Sequence, residues 1–195
     1  MQLSDGRLGI RTARKESIDR LRLPPALRRH AHCYEPSPYG EVTDALLSTT
    51  VDPTASTLWD IGCGKGRVLI EGLIVGFSQV VGVEASSVMA TIAHHHIQHF
   101  GVSSPRQMAR VVQGDALGVP IPEGPLVVYL FNPFDFQSTK AFATRLQRHA
   151  EDSRHPLWVV YYMPEHRRAW AHAPYLTAVE DTPRRLILRR RTHHR

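Results

Sequence analysis

Five short apolar runs divide the chain at regular intervals. Each is four to eight residues long, rich in valine, leucine and aromatic residues, and unbroken rather than alternating with polar residues. Strands that are buried on both faces of a parallel sheet have this pattern. The five predicted strands lie in the segments STLWDIG, SQVVGVE, ARVVQGD, PLVVYLFN and PLWVVYYM.

Helical spacing of hydrophobic residues marks three of the intervals, in GKGRVLIEGLIVGF, SSVMATIAHHHIQHFG and QSTKAFATRLQRHAED. We expect Gly101 to end the second of these helices. The alternation of strand and helix implies right-handed crossovers and helices on both faces of the sheet. The tail PYLTAVEDTPRRLILRRR instead predicts two alternating strands around a turn. The predicted class is α/β, a mostly parallel seven-stranded sheet that ends in an antiparallel hairpin.

The length of 195 residues fits a single domain,. We place this domain at residues 34–195, after a basic N-terminal arm, residues 1–33, that contains a short helix. No apolar run approaches the roughly 20 residues needed to cross a bilayer. The N-terminus also lacks the apolar stretch and cleavage site of a secretory signal, so we expect a cytoplasmic protein.

The net charge of +6 is concentrated at the two ends of the chain, whereas the middle is mildly acidic. Basic ends can neutralise phosphates or attract an acidic partner, but solvated termini often have the same composition. Cys33 and Cys63 are the only two cysteines, and they show neither zinc-site spacing nor the density of a disulfide scaffold,. We expect both to be reduced thiols.

The segment LWDIGCGKGRVLIEG, residues 58–72, joins the first strand to a helix through three alternating glycines. A phosphate-binding P-loop requires four residues between its glycines, so the spacing excludes it. A dinucleotide fingerprint requires a small residue at the position of Arg67, where helix and strand pack closely. The glycines instead follow Asp60, a carboxylate at the end of an apolar run.

The pattern D-x-G-x-G-x-G, from Asp60 to Gly66, resembles the first motif of the class I S-adenosylmethionine-dependent methyltransferases. The resemblance covers about residues 34–190 and implies a Rossmann-like sheet, S-adenosylmethionine as methyl donor and S-adenosylhomocysteine as product. It also implies that the loop contacts the methionine half and that Asp60 helps to hold its ammonium group. Glycines suit this role because the backbone can approach a ligand with positive φ and without Cβ atoms.

Two further acids strengthen the resemblance. Glu84 ends the second strand, where an acid can bind the ribose hydroxyls,. Asp115 follows the third strand and resembles the family's acid that accepts a hydrogen bond from the adenine amino group. The predicted cofactor-binding residues are Asp60, Gly62, Cys63, Gly64, Gly66, Glu84, Ala85, Asp115, Ala116 and Asn132.

The fourth strand ends in Asn132, Pro133 and Phe134, similar to the Asn/Asp-Pro-Pro-Tyr/Phe motif of methyltransferases that act on planar amines. That likeness implies catalytic roles for Asn132 and Phe134, although the second proline is missing. The other interpretation is a proline-shaped strand exit with Phe134 in the core. Pro133 and Phe134, together with Tyr34 and Tyr39 from a segment that resembles a cofactor lid, are the predicted substrate-lining residues; the two tyrosines could equally be surface anchors.

Two groups of titratable residues are candidates for proton transfer or metal binding. Glu165 and His166 lie in a predicted rim after the fifth strand and could accept a proton, or could be solvated. His95 and His99 share one helix face while His94 and His96 point elsewhere, and no third ligand is evident. We therefore predict no metal site.

The sequence supports two functions. The first is an enzyme that transfers the methyl group of S-adenosylmethionine by in-line displacement to a nitrogen or oxygen acceptor. A small molecule or exposed peptide side chain is favoured over nucleic acid, and no membrane partner is expected. The alternative is a catalytically weak binding module of the same fold whose basic ends hold an acidic partner or nucleic acid.

Overall fold

A computed structural model of the chain describes residues 3–101, 105–171 and 173–191. The ends of the predicted arm and domain, residues 1–2 and 192–195, lie outside the described residues. The strands are β1 (Thr57–Ile61), β2 (Gln79–Glu84), β3 (Met108–Gln113), β4 (Leu126–Leu130), β5 (Leu157–Tyr162), β6 (Leu176–Asp181) and β7 (Arg185–Arg190). The α-helices are α1 (Asp5–Leu8), α2 (Pro25–Arg28), α3 (Glu41–Leu47), α4 (Arg67–Val75), α5 (Ser87–Phe100) and α6 (Phe136–Asp152).

The seven strands form one sheet in the order β3-β2-β1-β4-β5-β7-β6. β1 to β5 pair in parallel, and β7 pairs antiparallel with both β5 and β6. The predicted class, Rossmann-like sheet and C-terminal hairpin are confirmed. β1, β4 and β5 are buried along their whole length, which is why their sequences are unbroken apolar runs,.

Each face of the sheet has its own hydrophobic core. On one face α3, α4 and α5 pack on side chains that include Leu58 and Val80. On the other, α6 packs on side chains that include Trp59 and Val128. Because successive strand residues point to opposite faces, neighbours such as Leu58 and Trp59 belong to different cores. Helices therefore cover both faces, and the carboxyl edge of the parallel strands is left for a site.

Two of the predicted helices end at a residue with positive φ. Gly101 follows α5 with φ +73°, and its N–H donates to the carbonyl of Ile97, so the predicted helix end is confirmed. The short helix predicted before Pro24 is a single 3-10 turn, Ile18–Leu21, which Arg22 ends at φ +48°. The separate helix α2 begins at Pro25, since proline is tolerated in the first turn of a helix,. Among the described residues, no helix is both long and apolar enough to span a bilayer.

Candidate active site

The carboxyl ends of β1, β2, β3 and β4 meet around a cavity of about 340 Å³. Ligands of open α/β sheets bind at this edge. Most of the residues predicted from the sequence line it, although they come from segments up to 100 positions apart. They are Tyr34, Asp60, Gly62, Cys63, Gly64, Glu84, Ala85, Asp115, Ala116, Asn132, Pro133 and Phe134.

The glycine loop forms the floor of the cavity. The N–H groups of Gly62 and Cys63 both donate to the carbonyl of Val83, at 2.9 and 3.0 Å, which ties the loop to β2. Gly66 does not line the cavity. It stands at φ +85° at the start of α4, where a Cβ would come within 3.1 Å of the Ala93 Cβ. Its absent side chain thus allows α4 and α5 to pack closely, and direct cofactor contact by Gly66 remains a prediction.

Asp60 and Glu84 place two buried carboxylates side by side at the floor. Burial raises the pKa of Asp60 well above its usual range, and the charge of Glu84 adds to the effect. The Asp60 Oδ2 atom is buried and has no hydrogen-bond partner among the described residues. A buried carboxylate oxygen without a partner is costly unless a ligand supplies a donor or a positive charge.

Glu84 is held in place by the loop that it faces. Its Oε2 accepts from the N–H of Gly64 and its Oε1 from the N–H of Ser86, both at 2.8 Å. Burial raises the pKa of Glu84, although the N–H donors of Ser86 and Gly64 oppose that rise. Each carboxylate oxygen has a further lone pair, so Glu84 can still accept two hydrogen bonds from a ligand.

Asp115 and Ala116 form the wall beyond β3. Asp115 Oδ1 accepts from the N–H of Leu117 at 2.9 Å, and Ala116 is buried in the core beneath the wall. Cys63, also in the floor, is a free thiol whose pKa is raised by burial and by the nearby Asp60 and Glu84. Cys33 and Cys63 are not bonded to each other in the structure, and Cys63 is suited to packing rather than to nucleophilic chemistry,.

The N-terminal segment, residues 3–37, covers this cavity. Its apolar side chains that line the cavity are Leu21, Leu23, Leu27 and Ala31. The hydroxyl of Ser86 donates to the carbonyl of Leu21, and the N–H of Asp135 donates to the carbonyl of His30 at 2.9 Å. The sequence predicts only a basic arm here. The leucines between its arginines were the signal that the segment also packs over the cavity.

Two basic residues in and next to the glycine loop anchor residues 3–37, which we call the cover. Lys65 Nζ donates to the carbonyl of Arg14 at 2.8 Å and to Glu16 at 3.0 Å, and its side chain is only 5% exposed. Arg67 donates to the Thr12 hydroxyl and to the carbonyl of Ser37, both at 2.7 Å. The bulk that excluded a dinucleotide fingerprint at position 67 therefore serves to anchor the cover.

The two predicted lid tyrosines have different places. Tyr34 lies on Gly64 at the cavity, with its hydroxyl donating to the carbonyl of Thr12 at 2.8 Å. Tyr39 is not among the residues that line the cavity. The Arg67 guanidinium lies 4.1 Å from the centre of the Tyr39 ring, and the Tyr39 hydroxyl donates to Asp5 at 2.6 Å. These contacts hold the Tyr39 ring away from the cavity, and a substrate-lining role for Tyr39 remains a prediction.

Asn132, at the end of β4, has φ +43°, which is uncommon for a residue other than glycine,. Its Nδ2 donates to the carbonyl of Met163 at 2.8 Å, and its Oδ1 accepts from the Tyr161 hydroxyl at 2.8 Å and the Glu165 N–H at 3.2 Å. Both ends of the amide therefore bind the segment after β5. In this arrangement Asn132 holds the segment after β5 in place, and direct contact with an acceptor remains a prediction.

The α5 histidines lie as the helical spacing predicts. The rings of His95 and His99 are stacked, with centroids 6.4 Å apart and planes 4° apart. His96 is buried elsewhere: its Nδ1 bonds to the carbonyl of Lys65 at 2.9 Å, and its Nε2 accepts from the N–H of Arg11 at 3.3 Å. Since that Nε2 is an acceptor, Nδ1 carries the proton, and neutral His96 links α5 to the glycine loop and the cover.

Residues 59–152 match a family model described as a methyltransferase domain. That match covers just under half of the chain. The order and direction of the strands are those of the class I methyltransferase fold. No curated protein sequence matches the chain.

Solved structures share the fold of this chain at low sequence identity. An RNA methyltransferase from Salinibacter ruber, in complex with S-adenosyl-L-homocysteine, is 22% identical over 79% of this chain and 91% of that chain, with a TM-score of 0.53. An O-methyltransferase from Bacillus cereus, also in complex with S-adenosyl-L-homocysteine, is 18% identical over 89% and 86%, with a TM-score of 0.59. A putative O-methyltransferase from Klebsiella pneumoniae is 16% identical over 89% and 85%, with a TM-score of 0.59.

The residues of the floor fit S-adenosylmethionine, the methyl donor that the glycine motif implies. The unpartnered Asp60 oxygen suits the cationic methionine half, and Glu84 retains lone pairs for the ribose hydroxyls. The wall at Ala116 and Leu117 offers an apolar surface for a flat base. A ligand with one positive end, a diol and an aromatic base is therefore complementary to this cavity.

We expect Gly64→Ala to weaken S-adenosylhomocysteine binding by at least about tenfold. The added methyl would lie 2.3 Å from the Tyr34 ring, so the ring must leave the cavity floor. Left-handed backbone adds about 1–2 kcal/mol of strain for alanine. Calorimetry measures the affinity, and the double variant with Tyr34→Ala should recover part of the loss.

Gly124→Ala is the matched control, because Gly124 has φ +84° and nothing within 4 Å of the added methyl. It isolates the backbone strain from the clash. Equal affinities for the Gly64 and Gly124 variants would show that Tyr34 does not lie over the loop in solution.

Proposed function

We propose that the enzyme transfers the methyl group of S-adenosylmethionine to a nitrogen or oxygen atom of a small molecule or an exposed peptide side chain. The observation that carries this proposal is the covered cavity. It continues from the cofactor floor at Asp60 and Glu84 to the rim at Asn132, Pro133 and Phe134, and residues 3–37 lie across it. A covered space supports an acceptor small enough to enter it, rather than a structured polymer.

The cofactor supplies an electrophilic methyl group, so the chain has mainly to align the acceptor and exclude water. Asp60 and Glu84 would orient the donor from below, and Asp115 would bind its base. Phe134, whose ring packs on Phe142 with centroids 5.7 Å apart, is a fixed apolar wall for the acceptor. Tyr34 and the leucines of the cover keep the floor dry.

The alternative function, a binding module with basic ends, has less support because many of those basic residues are engaged within the protein. Arg184 pairs with Glu41 at 2.6 Å and Arg185 with Glu180 at 2.9 Å. In the N-terminal segment, ion pairs join Lys15 to Glu35 and Arg28 to Asp19. Cytoplasmic location stays a prediction from the sequence.

The proposal is tested by measuring S-adenosylhomocysteine release with panels of small amines, small hydroxyl compounds, unstructured peptides and RNA. Turnover with a small molecule or peptide supports it. Turnover with RNA alone, or no turnover with any panel while the cofactor binds, contradicts it.

Asn132→Ala should lower kcat by about 10- to 100-fold with whichever acceptor the panels identify. The segment after β5, which Asn132 holds, would shift and misplace that acceptor,. S-adenosylhomocysteine affinity should be unchanged within a factor of about three. The exposed Gln98 on α5 offers a matched amide, and Gln98→Ala should leave both quantities unchanged. If Asn132→Ala weakens cofactor binding and spares kcat, its role at the acceptor end is wrong.

A further inference from the structure

Three metal-ligating side chains meet beside the Asn132–Phe134 rim. One ring nitrogen of His32, one of His166 and a carboxylate oxygen of Glu165 all lie within 4.8 Å of one another. His32 comes from the N-terminal cover, and the other two follow β5. In the chain they are 133 positions apart, so only the fold brings them together.

Hydrogen bonds hold the side chain of His32 and the backbones of Glu165 and His166 in position. His32 Nε2 lies 3.1 Å from the carbonyl of Phe134. A carbonyl only accepts, so this nitrogen carries the proton and Nδ1 keeps a free lone pair. The other ring N–H of a metal-binding histidine usually makes such a bond.

The backbones of the other two ligands are fixed in the same way. The N–H of Glu165 donates to Asn132 Oδ1 at 3.2 Å, and the N–H of His166 donates to the Tyr161 hydroxyl at 3.3 Å. Met163, at the start of this turn, has φ +46°, a conformation held against its intrinsic cost,. Because Asn132 and Tyr161 are also bonded to each other, one network supports both ligands.

One ring nitrogen of His166 is available to a ligand. Its Nε2 is buried and has no hydrogen-bond partner among the described residues. The centroids of the Phe136 and His32 rings each lie 6.1 Å from the centroid of the His166 ring. A buried nitrogen without a partner is stabilised when an ion or a polar ligand reaches it.

We propose that His32, Glu165 and His166 bind a divalent first-row transition ion, with Zn²⁺ as the reference ion. Two imidazoles and one carboxylate are the protein ligands of open tetrahedral zinc sites, which leave a fourth position for another molecule. Zinc bonds of about 2.0–2.2 Å place ligand atoms about 3.3–3.6 Å apart, so the three side chains must move inward by about 1 Å.

The place of this site suggests what the fourth position would bind. His32 lines the cavity, and Glu165 is bonded to Asn132 at the acceptor end. A lone-pair atom of the acceptor, such as a hydroxyl oxygen or amine nitrogen, could occupy that position. This second step rests on the proposed function, whereas the metal site itself does not.

The test is titration of the full-length protein with Zn²⁺ by calorimetry, followed by Co²⁺ substitution, whose visible spectrum reports tetrahedral nitrogen and oxygen ligands. We expect one Zn²⁺ per chain, and Glu165→Gln and His166→Ala should each weaken its binding by at least about tenfold. Glu165 is exposed, so Glu165→Gln should leave the fold intact, and unchanged S-adenosylhomocysteine affinity would verify this.

The chain has twelve histidines, so matched controls are needed to exclude a surface chelate. His95→Ala with His99→Ala removes the stacked pair on α5, and His193→Ala with His194→Ala removes a neighbouring pair in the sequence. Neither control should weaken Zn²⁺ binding. Loss of binding in a control pair with retention in Glu165→Gln, or no Zn²⁺ binding by the unmodified chain, would overturn the proposal.

These outcomes are independent of the proposed function. Zn²⁺ binding is measured without an acceptor, so a failed metal site leaves the acceptor panels untouched. Equally, a bound Zn²⁺ with no turnover of small molecules or peptides would retain the site and reject the function.

Discussion

Asp60→Ala is expected to weaken S-adenosylhomocysteine binding by about 30- to 5,000-fold, the equivalent of about 2–5 kcal/mol, while the free protein stays folded. Asp60 lies at the end of β1 with a buried oxygen that has no hydrogen-bond partner in the part of the chain that the structure describes. In the free protein this carboxylate is a cost, and removing it should leave the stability unchanged or slightly higher. In the complex it would face the ligand's ammonium group, and its loss would leave that cation buried without a counter-charge.

The same carboxylate predicts the pH dependence of binding. Burial and the charge of Glu84 raise the pKa of Asp60, so the neutral form is favoured in the free protein above the usual carboxylic range. A cationic ligand favours the ionised form, so binding should release a proton. Affinity should rise with pH until Asp60 is ionised in the free protein as well.

Calorimetry in two buffers with different ionisation enthalpies measures both the affinity and the proton release. The exposed Asp44 on α3 provides the matched control, and Asp44→Asn should change neither. If Asp60→Ala binds as tightly as the unmodified chain, Asp60 does not contact the ligand.

Arg67→Met is expected to release the N-terminal cover and to speed hydrogen exchange there by at least about 100-fold. The guanidinium is buried and bonded to Thr12, Ser37 and Asp5, the last at 3.3 Å. Methionine keeps the apolar stem but leaves the Ser37 carbonyl and Asp5 without that cation. Asp5 is partly exposed and keeps its other donors, so the cost arises mainly at the buried end. Each hydrogen bond from a charged group contributes about 1.5–3 kcal/mol, and the loss of two or more corresponds to about 100-fold or more.

The informative amides are those of Glu16 and Tyr34, which bond to each other's carbonyls at 3.1 and 3.0 Å within the cover. Hydrogen exchange read by mass spectrometry follows them, together with the core strands as an internal reference. The exposed Arg110 on β3 offers the matched control, Arg110→Met. Unchanged exchange at Glu16 and Tyr34 in Arg67→Met would mean that the cover is held by its apolar contacts alone.

Acid should release the same cover. Burial on its own would raise the pKa of Asp5, but hydrogen bonds from the Thr12 and Tyr39 hydroxyls and from the backbone of Ala13 and Thr12 outweigh it and lower the pKa to about 2. A lowered pKa means that the stabilisation is complete above the usual Asp value of 3.8. It is lost as the pH falls from there through about 2.

Local patterns determined much of this protein. The apolar runs became the central strands because burial on both faces favours apolar side chains at nearly every position, and they indicate the class of the sheet,. Asp60, Glu84 and Asp115 follow consecutive strands along the chain, and parallel strands bring such ends to one edge, so their convergence on a cavity could be predicted,.

Local patterns do not predict contacts between distant segments. Arg67 and Asp5 hold Tyr39 away from the cavity, and no spacing near Tyr39 indicates those contacts. Likewise, the amide of Asn132 is satisfied by Met163 and Glu165 on a different strand exit. A motif indicates which chemistry is available at a position, but its partners decide how that chemistry is used.

Periodicity and strand-end chemistry depend on near neighbours, so the α/β fold and the glycine floor could be predicted from the order of residues, and the motif implied S-adenosylmethionine as methyl donor. Only the folded chain shows that the basic arm covers the cavity, that Lys65 and Arg67 anchor this cover, and that His32 meets Glu165 and His166. Those contacts join residues 30 to 134 positions apart, and their geometry depends on the packing of the whole chain rather than on any local preference.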